Sequence, residues 1–188
     1  MNPDGLLTSY PVVSGAVAAA TVAICIVQLA VQRAGPGEPA TPRGPIERLL
    51  QLALAGTVAV AAATSLGSIW TAGAMHGWPL LIHVAIGGAL TGTLAAFAVV
   101  GSALQLRRTR AGAGPTVLAR ATFLALLVSG FLAAASMLIC TFPILGTSWM
   151  ERMADLHRYA GLALAATTAL HLAVATPRPA HGAADTRP

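Results

Sequence analysis

Residues 116–142 read TVLARATFLALLVSGFLAAASMLICTF, and this stretch decides the fold. Its only charged residue is Arg120, and nearly all the other residues are apolar or small. A helix needs about 20 consecutive apolar residues to cross the hydrocarbon core of a bilayer. The stretch is longer than that, so it predicts a membrane-spanning helix.

Four more stretches reach the same length, at residues 11–32, 46–70, 79–106 and 154–175. The last is the least apolar, because Asp155, His157 and Arg158 lie at its start. The residues after 177 are rich in Pro and Ala and lack a hydrophobic pattern, which is typical of disorder. We therefore expect an all-α fold. It is a polytopic membrane helical bundle of about five transmembrane helices over residues 1–176, with a disordered cytoplasmic tail at 177–188.

The composition agrees with a lipid environment. Hydrophobic residues make up 56% of the 188 residues and charged residues only 9%. A soluble domain carries about 25% charged residues, so this chain has too few charges to coat a surface in water. Its net charge of +5 comes from arginines in the connections and not from one basic face. We therefore expect membrane lipid, and no nucleic acid, as the surroundings of the chain.

The distribution of arginine predicts the orientation. If the chain crosses the membrane five times, nine of its arginines fall on one side and only Arg152 and Arg158 on the other. Cytoplasmic loops of membrane proteins carry the excess of positive charge. This rule puts the N-terminus outside and the C-terminus in the cytoplasm. Trp70, Trp78 and Trp149 then all lie on the outer side, where interfacial tryptophan is expected.

Three histidines fall inside the apolar stretches, where ionisable residues are costly and usually functional. His157 and His171 are fourteen residues apart, so they share a helix face about 21 Å apart along the axis. His83 and His157 each lie about four residues into a stretch that starts on the outer side. They are thus at similar depth, and two neutral imidazoles can bind one haem iron from opposite faces.

A glycine follows two of these histidines at the fourth position. Gly87 follows His83, and Gly161 follows His157. Residues four apart share a helix face, so a glycine there leaves room for a flat macrocycle. The alternative is a glycine that only lets helices pack closely. Arg158 is suited to pair with haem propionates, although an arginine at this boundary can equally extend its side chain to the interface.

His171 lies toward the cytoplasmic side, where no other histidine is available as a second ligand. Three roles stay open for it. It binds a second haem with a ligand from a partner subunit or a dimer mate, it hydrogen-bonds a quinone, or it is a buried histidine with a structural hydrogen bond.

The stretch LHRYAG at 156–161, continued to the Leu-His pair at 170–171, resembles the haem-bearing helix of bacterial membrane b-type cytochromes. These are the cytochrome b561-like and formate dehydrogenase gamma subunit-like proteins. WPLLIH at 78–83 resembles a ligand-bearing helix of the same group. The resemblance covers two stretches, less than half of the chain. Typical two-haem members have four ligands, whereas this chain has three histidines inside its spans.

The resemblance implies a helical bundle in the bacterial inner membrane that holds haem b. It also implies electron exchange between quinol or quinone and a redox partner subunit. We therefore expect an electron-transfer subunit of an oxidoreductase complex and not a stand-alone enzyme. One haem is expected, with His83 and His157 as its metal ligands.

Two other functions remain as alternatives. The first alternative is a copper-handling membrane protein. It is supported by the sequence His83-Val-Ala-Ile-Gly-Gly and by soft or borderline metal ligands on the outer side. Those ligands are Met75, His76, Met150 and Met153. A structural membrane subunit without a cofactor would instead use its histidines for hydrogen bonds between helices.

Overall fold

The computed structural model describes residues 3–34, 44–72, 74–110, 116–142 and 146–175. These residues form five helices and no strand: α1 (Pro3–Ala34), α2 (Pro45–Ala72), α3 (Gly77–Arg110), α4 (Val117–Thr141) and α5 (Thr147–Ala175). The predicted all-α helical bundle is confirmed. The tail expected to be disordered, at 177–188, lies outside the described residues.

Local sequence signals explain several helix ends. Pro45 is the first residue of α2, a position where the missing N–H of proline costs nothing. Thr116 caps α4 by accepting a hydrogen bond from the Ala119 N–H at 3.2 Å. Gly77 adopts a φ of 60° where the chain enters α3, a backbone conformation that glycine adopts without a Cβ clash. α5 begins seven residues earlier than the apolar stretch indicated, because helical hydrogen bonding extends through a polar first turn.

Three of the helices, α2, α3 and α4, are long and apolar enough to cross a membrane. α1 carries a shorter apolar segment, Val12–Val27. Large apolar side chains point away from the bundle, as shown by Leu52, Val99 and Phe131, which are 71%, 72% and 68% exposed. Exposed apolar surface on long helices is suited to lipid contact, and these features are compatible with a membrane protein.

The helices pack as two antiparallel hairpins. α2 packs against α3, α4 packs against α5, and α1 lies mainly on α5. Glu47 near the start of α2 pairs with Arg108 near the end of α3, with 2.7 Å between oxygen and nitrogen. Arg120 at the start of α4 donates to the Thr109 hydroxyl at 3.3 Å. Arg107, Arg108, Arg110 and Arg120 therefore mark one end of the bundle, called here the arginine end.

The opposite end carries the tryptophans and is called the tryptophan end. It includes Trp70 at the end of α2, Trp78 at the start of α3 and Trp149 at the start of α5. All three indole side chains are more than half exposed. The Arg152 guanidinium lies over the Trp149 ring, 5.1 Å from its centroid, which is within the range of a cation–π contact.

A buried apolar cluster fills the middle of the bundle. Its members come from α2, α3, α4 and α5: Leu54, Val58, Leu94, Phe97, Phe123, Leu126 and Leu164. Gly130 allows α3 to approach α4 closely here, because a Cβ at this position would lie 2.5 Å from Leu94 Cδ2. The cluster separates the polar groups near the tryptophan end from those near the arginine end.

Candidate functional site

The structure brings His83 and His157 together near the tryptophan end. Their ring centroids are 6.2 Å apart and their ring planes are almost perpendicular, at 89°. His83 comes from α3 and His157 from α5. Within the described residues, no Cα of α3 lies within 8 Å of a Cα of α5. The two imidazoles therefore meet across a space between the two hairpins, and not at a close helix contact.

Each imidazole is oriented by the helix that packs against its own. Nδ1 of His83 lies 3.1 Å from the Ala61 carbonyl oxygen in α2. Nδ1 of His157 lies 2.9 Å from the Ala133 carbonyl oxygen in α4. A carbonyl oxygen can only accept, so both Nδ1 atoms must donate. In the neutral ring this leaves the lone pair on Nε2.

Thr64 adds a second contact to one of the two histidines. Its hydroxyl oxygen lies 3.1 Å from Nδ1 of His83. The hydroxyl proton is already directed to the Val60 carbonyl at 2.9 Å, so the oxygen is an acceptor for the imidazole N–H. The N–H of His83 is thus shared between two acceptors, whereas only the Ala133 carbonyl contacts Nδ1 of His157 among the described residues.

The distance between the rings matches two imidazoles on one metal ion. A neutral imidazole binds a divalent ion at about 2.0–2.1 Å, and the ring centroid lies about 1.1 Å behind the nitrogen, so two rings on opposite sides of one ion have centroids about 6.2–6.4 Å apart. A metal-binding histidine usually donates its other ring N–H to a carbonyl or carboxylate, which fixes its tautomer and orientation. Both histidines have this second interaction.

Two glycines lie one helical turn from the paired histidines. Gly87 lies one turn along α3 from His83, and Gly161 lies one turn along α5 from His157. A Cβ built on either glycine would meet no atom within 4 Å. These two glycines are therefore not required by close helix packing, in contrast to Gly130. Both positions leave open space one turn from a histidine.

Arg158 lies at the same end but is already paired. Its guanidinium donates to the Asp155 carboxylate at 2.9 Å, three residues earlier in α5. Both side chains are about one third exposed, so the pair lies at the surface of the site. Tyr159 follows and makes an edge contact with the buried Tyr10 of α1, with 5.7 Å between the rings. This contact packs α1 against α5 two residues from His157.

His171 lies at a different level, at the edge of the apolar cluster toward the arginine end. It is 7% exposed, and its Nδ1 lies 3.1 Å from the Thr122 hydroxyl in α4. Phe97 and Phe123 surround the ring, with centroids at 5.8 and 6.0 Å. Of the roles left open for His171, this enclosure favours the buried histidine with a structural hydrogen bond.

The structure describes no cluster of three or more His, Cys, Asp or Glu side chains suited to hold a metal ion. His76, one of the soft or borderline outer ligands, is exposed in the connection between α2 and α3. Cys25 and Cys140 are both free and half-buried. Two histidines on opposite faces of a macrocycle do not require a third side-chain ligand.

Several residues of the site were missed at the level of sequence. The carbonyls of Ala61 and Ala133 carry no signal in the identity of their residues, since any residue offers a carbonyl. Thr64 had a signal, because it opens a row of hydroxyls with Ser68 and Thr71 along one face of α2. Such a row in an apolar helix indicates a polar contact, although not its partner.

Comparison with protein-family models, with curated proteins and with solved structures finds no match to this chain.

Proposed function

We propose that this chain is a membrane-bound b-type cytochrome that carries electrons through one haem held by His83 and His157. The observation that supports this most is the orientation of the two imidazoles. Both rings donate Nδ1–H to a carbonyl on a neighbouring helix and keep Nε2 for a ligand bond. Their centroids are separated as two axial ligands of one iron would be. A purely structural pair would also form the two hydrogen bonds between helices, but it would not require the two rings to be separated like two ligands of one iron.

The rest of the site suits the same group. Gly87 and Gly161 leave open space beside the two histidines. Arg158 lies at the surface end, where its guanidinium can exchange the partly exposed Asp155 for a propionate carboxylate. Haem with two histidine ligands supplies one-electron transfer, because no coordination position remains for a substrate. The carbonyls of Ala61 and Ala133 would hold the two imidazoles in place, and the apolar cluster keeps the centre of the bundle apolar.

The proposed setting is the bacterial inner membrane, crossed five times, with the tryptophan end outside and the arginine end in the cytoplasm. Support comes from the four arginines at one end and the three exposed tryptophans at the other, the distribution expected from the positive-inside rule and the interfacial preference of tryptophan. Electrons then pass between a lipid-soluble quinol and a redox partner subunit near the outer surface.

The test is spectroscopic. The full chain is expressed with adequate haem supply, purified in detergent, and examined as a reduced-minus-oxidised difference spectrum. The expected result is the α-band of a low-spin b-type haem, with a haem-to-protein ratio near one. A ratio near zero would overturn the proposal. A ratio near two would mean that His171 also binds haem, which would overturn the assignment of a single site.

A further inference from the structure

The arginine end carries more positive charge than its carboxylates neutralise. The arginine side chains described there are Arg48, Arg107, Arg108, Arg110 and Arg120. The one carboxylate described at this end is Glu47, which pairs with Arg108. Among the described residues, Arg110 has no ion pair, and Arg120 donates a single N–H, to the Thr109 hydroxyl. A guanidinium has five N–H donors, so both side chains keep donors for an anion.

Arg110 and Arg120 come from different hairpins but lie at neighbouring positions. α3 ends at Arg110, and Arg120 is in the first turn of α4. The hydrogen bond of 3.3 Å from Arg120 to Thr109 puts its guanidinium beside the residue that precedes Arg110. Both arginines are exposed. An anion between two like charges removes their repulsion, and the planar guanidinium matches the oxygens of a phosphate.

Each of these two arginines lies at the head of an exposed apolar stripe on its own helix. In both stripes, large apolar side chains are separated from the arginine by four and by eleven residues, so they share its helix face. These side chains are Leu106 and Val99 on α3, and Leu124 and Phe131 on α4. All four are more than half exposed.

The length of the stripes matches one leaflet of a bilayer. Eleven residues of helix span about 16 Å, and half of the hydrocarbon core is about 15 Å. Because α3 ends and α4 begins at the arginine end, both stripes run from this end toward the middle of the bundle. A phospholipid has the same layout, with its phosphate at the surface and its chains reaching the middle of the bilayer.

We propose that Arg110 and Arg120 bind the phosphate of an anionic phospholipid whose acyl chains lie along the two stripes. Basic pockets between helices on the cytoplasmic side favour anionic headgroups, whereas a zwitterionic headgroup carries a cation that the arginines repel. The bound lipid joins the two hairpins that carry His83 and His157. The proposal rests on the membrane setting proposed above but not on haem.

Binding is tested by native mass spectrometry on the full chain in a neutral detergent, after removal of co-purified lipid. The probes are dioleoylphosphatidylglycerol, which is anionic, and dioleoylphosphatidylcholine, which has the same chains and no net charge. The anionic lipid is expected to bind about tenfold or more tightly, because two arginines contribute to its binding.

The midpoint of thermal unfolding gives a second measurement and includes inorganic phosphate as a third probe. At a hundredfold excess over its dissociation constant, the anionic lipid should raise the midpoint by about 5 °C or more. Inorganic phosphate at the same concentration should leave the midpoint unchanged, because it has no chains to cover the apolar stripes.

The protein variants are Arg110→Gln and Arg120→Gln, with Arg48→Gln as the matched control. Arg48 is exposed at the same end, and its replacement removes the same charge, but it lies on α2 and heads neither stripe. Each site variant is expected to weaken binding of the anionic lipid about fivefold. The control should change that affinity less than twofold.

Three results would overturn the site. Equal affinity for the two lipids would mean that only the chains bind. Equal losses in all three variants would mean a diffuse positive surface, and an equal rise of the midpoint with inorganic phosphate would mean a site for free anions. The haem-to-protein ratio of the same preparations tests the proposed function separately. Selective binding of the anionic lipid without haem would support the lipid site and overturn the cytochrome.

Discussion

The ring centroids of His83 and His157 lie 6.2 Å apart, and each ring is oriented by a carbonyl from the neighbouring helix of its own hairpin. The pair therefore joins all four helices of the two hairpins. α2 and α4 hold the rings, and α3 and α5 carry them. A change that rotates any one of these helices would disturb the distance between the two Nε2 atoms.

Replacing either histidine of the pair with alanine should remove haem from the protein, because one remaining imidazole cannot supply both axial ligands. The expected haem content is below one tenth of the wild-type content for His83→Ala and for His157→Ala, measured by the reduced α-band per mole of protein. His76→Ala is the matched control, since His76 is exposed in a connection, and it should keep full haem content. Retention of the band in both single variants would show that the ligands are other residues.

A bulky side chain at Gly161 should also displace haem while the helices stay intact. The open space beside this glycine accepts a Cβ without a clash, so Gly161→Ala should fold and keep haem. Gly161→Leu should fill that space and lower the haem content at least fivefold. Gly56→Leu is the control, because Gly56 also borders open space but lies on α2 away from the pair. Circular dichroism checks the helix content, and full haem in Gly161→Leu would contradict the assigned position of the macrocycle.

Thr64 should influence the redox potential of the proposed haem through its contact with His83. Replacing it with valine removes one of the two acceptors of the Nδ1 proton. The imidazole then gives less electron density to the iron, which favours the ferrous state. The midpoint potential of Thr64→Val should rise by a few tens of millivolts, where about 59 mV corresponds to a tenfold change for one electron. Thr57→Val is the control, since within the described residues the Thr57 hydroxyl bonds only to carbonyls of its own helix, and an equal shift in that variant would refute the role of Thr64.

Two adjacent threonines of α5 should respond in opposite directions to the same substitution. The Thr168 hydroxyl is buried and has no hydrogen-bond partner among the described residues, which costs about 1–3 kcal/mol. Thr167 donates to the Ala163 carbonyl and lies 3.3 Å from the Ser129 hydroxyl of α4. Thr168→Val should therefore raise the midpoint of thermal unfolding in detergent, and Thr167→Val should lower it. A decrease in both would mean that Thr168 has a partner beyond those described, such as a buried water.

The proposed orientation can be tested with reporters fused to the end of the chain. A cytoplasmic C-terminus predicts fluorescence from a fused green fluorescent protein and no activity from a fused alkaline phosphatase, which folds only outside the cytoplasm. The opposite pattern would put the arginine end outside and contradict the positive-inside assignment. Inserting the same reporters after residue 75, between α2 and α3, should give the reverse result.

The sequence by itself determined the fold class and the number of helices. The length of an apolar stretch and its low charge are properties of one continuous segment. They can therefore be recognised without knowing which helices pack against that segment. The same information placed His83 and His157 near the starts of two stretches at the same end. The apolar pattern underestimated the length of α5, because the first turn of this helix is polar.

Only the tertiary structure decided what each histidine contacts. The rotation of a helix about its axis selects its partners, and that rotation results from side-chain packing between helices. It turned the carbonyls of Ala61 and Ala133 toward two imidazoles, and it enclosed His171 between Phe97 and Phe123. It also put the Thr64 hydroxyl against Nδ1 of His83. Apolar helices in lipid can pack in many rotations, so these contacts depend on the whole bundle and not on any one stretch.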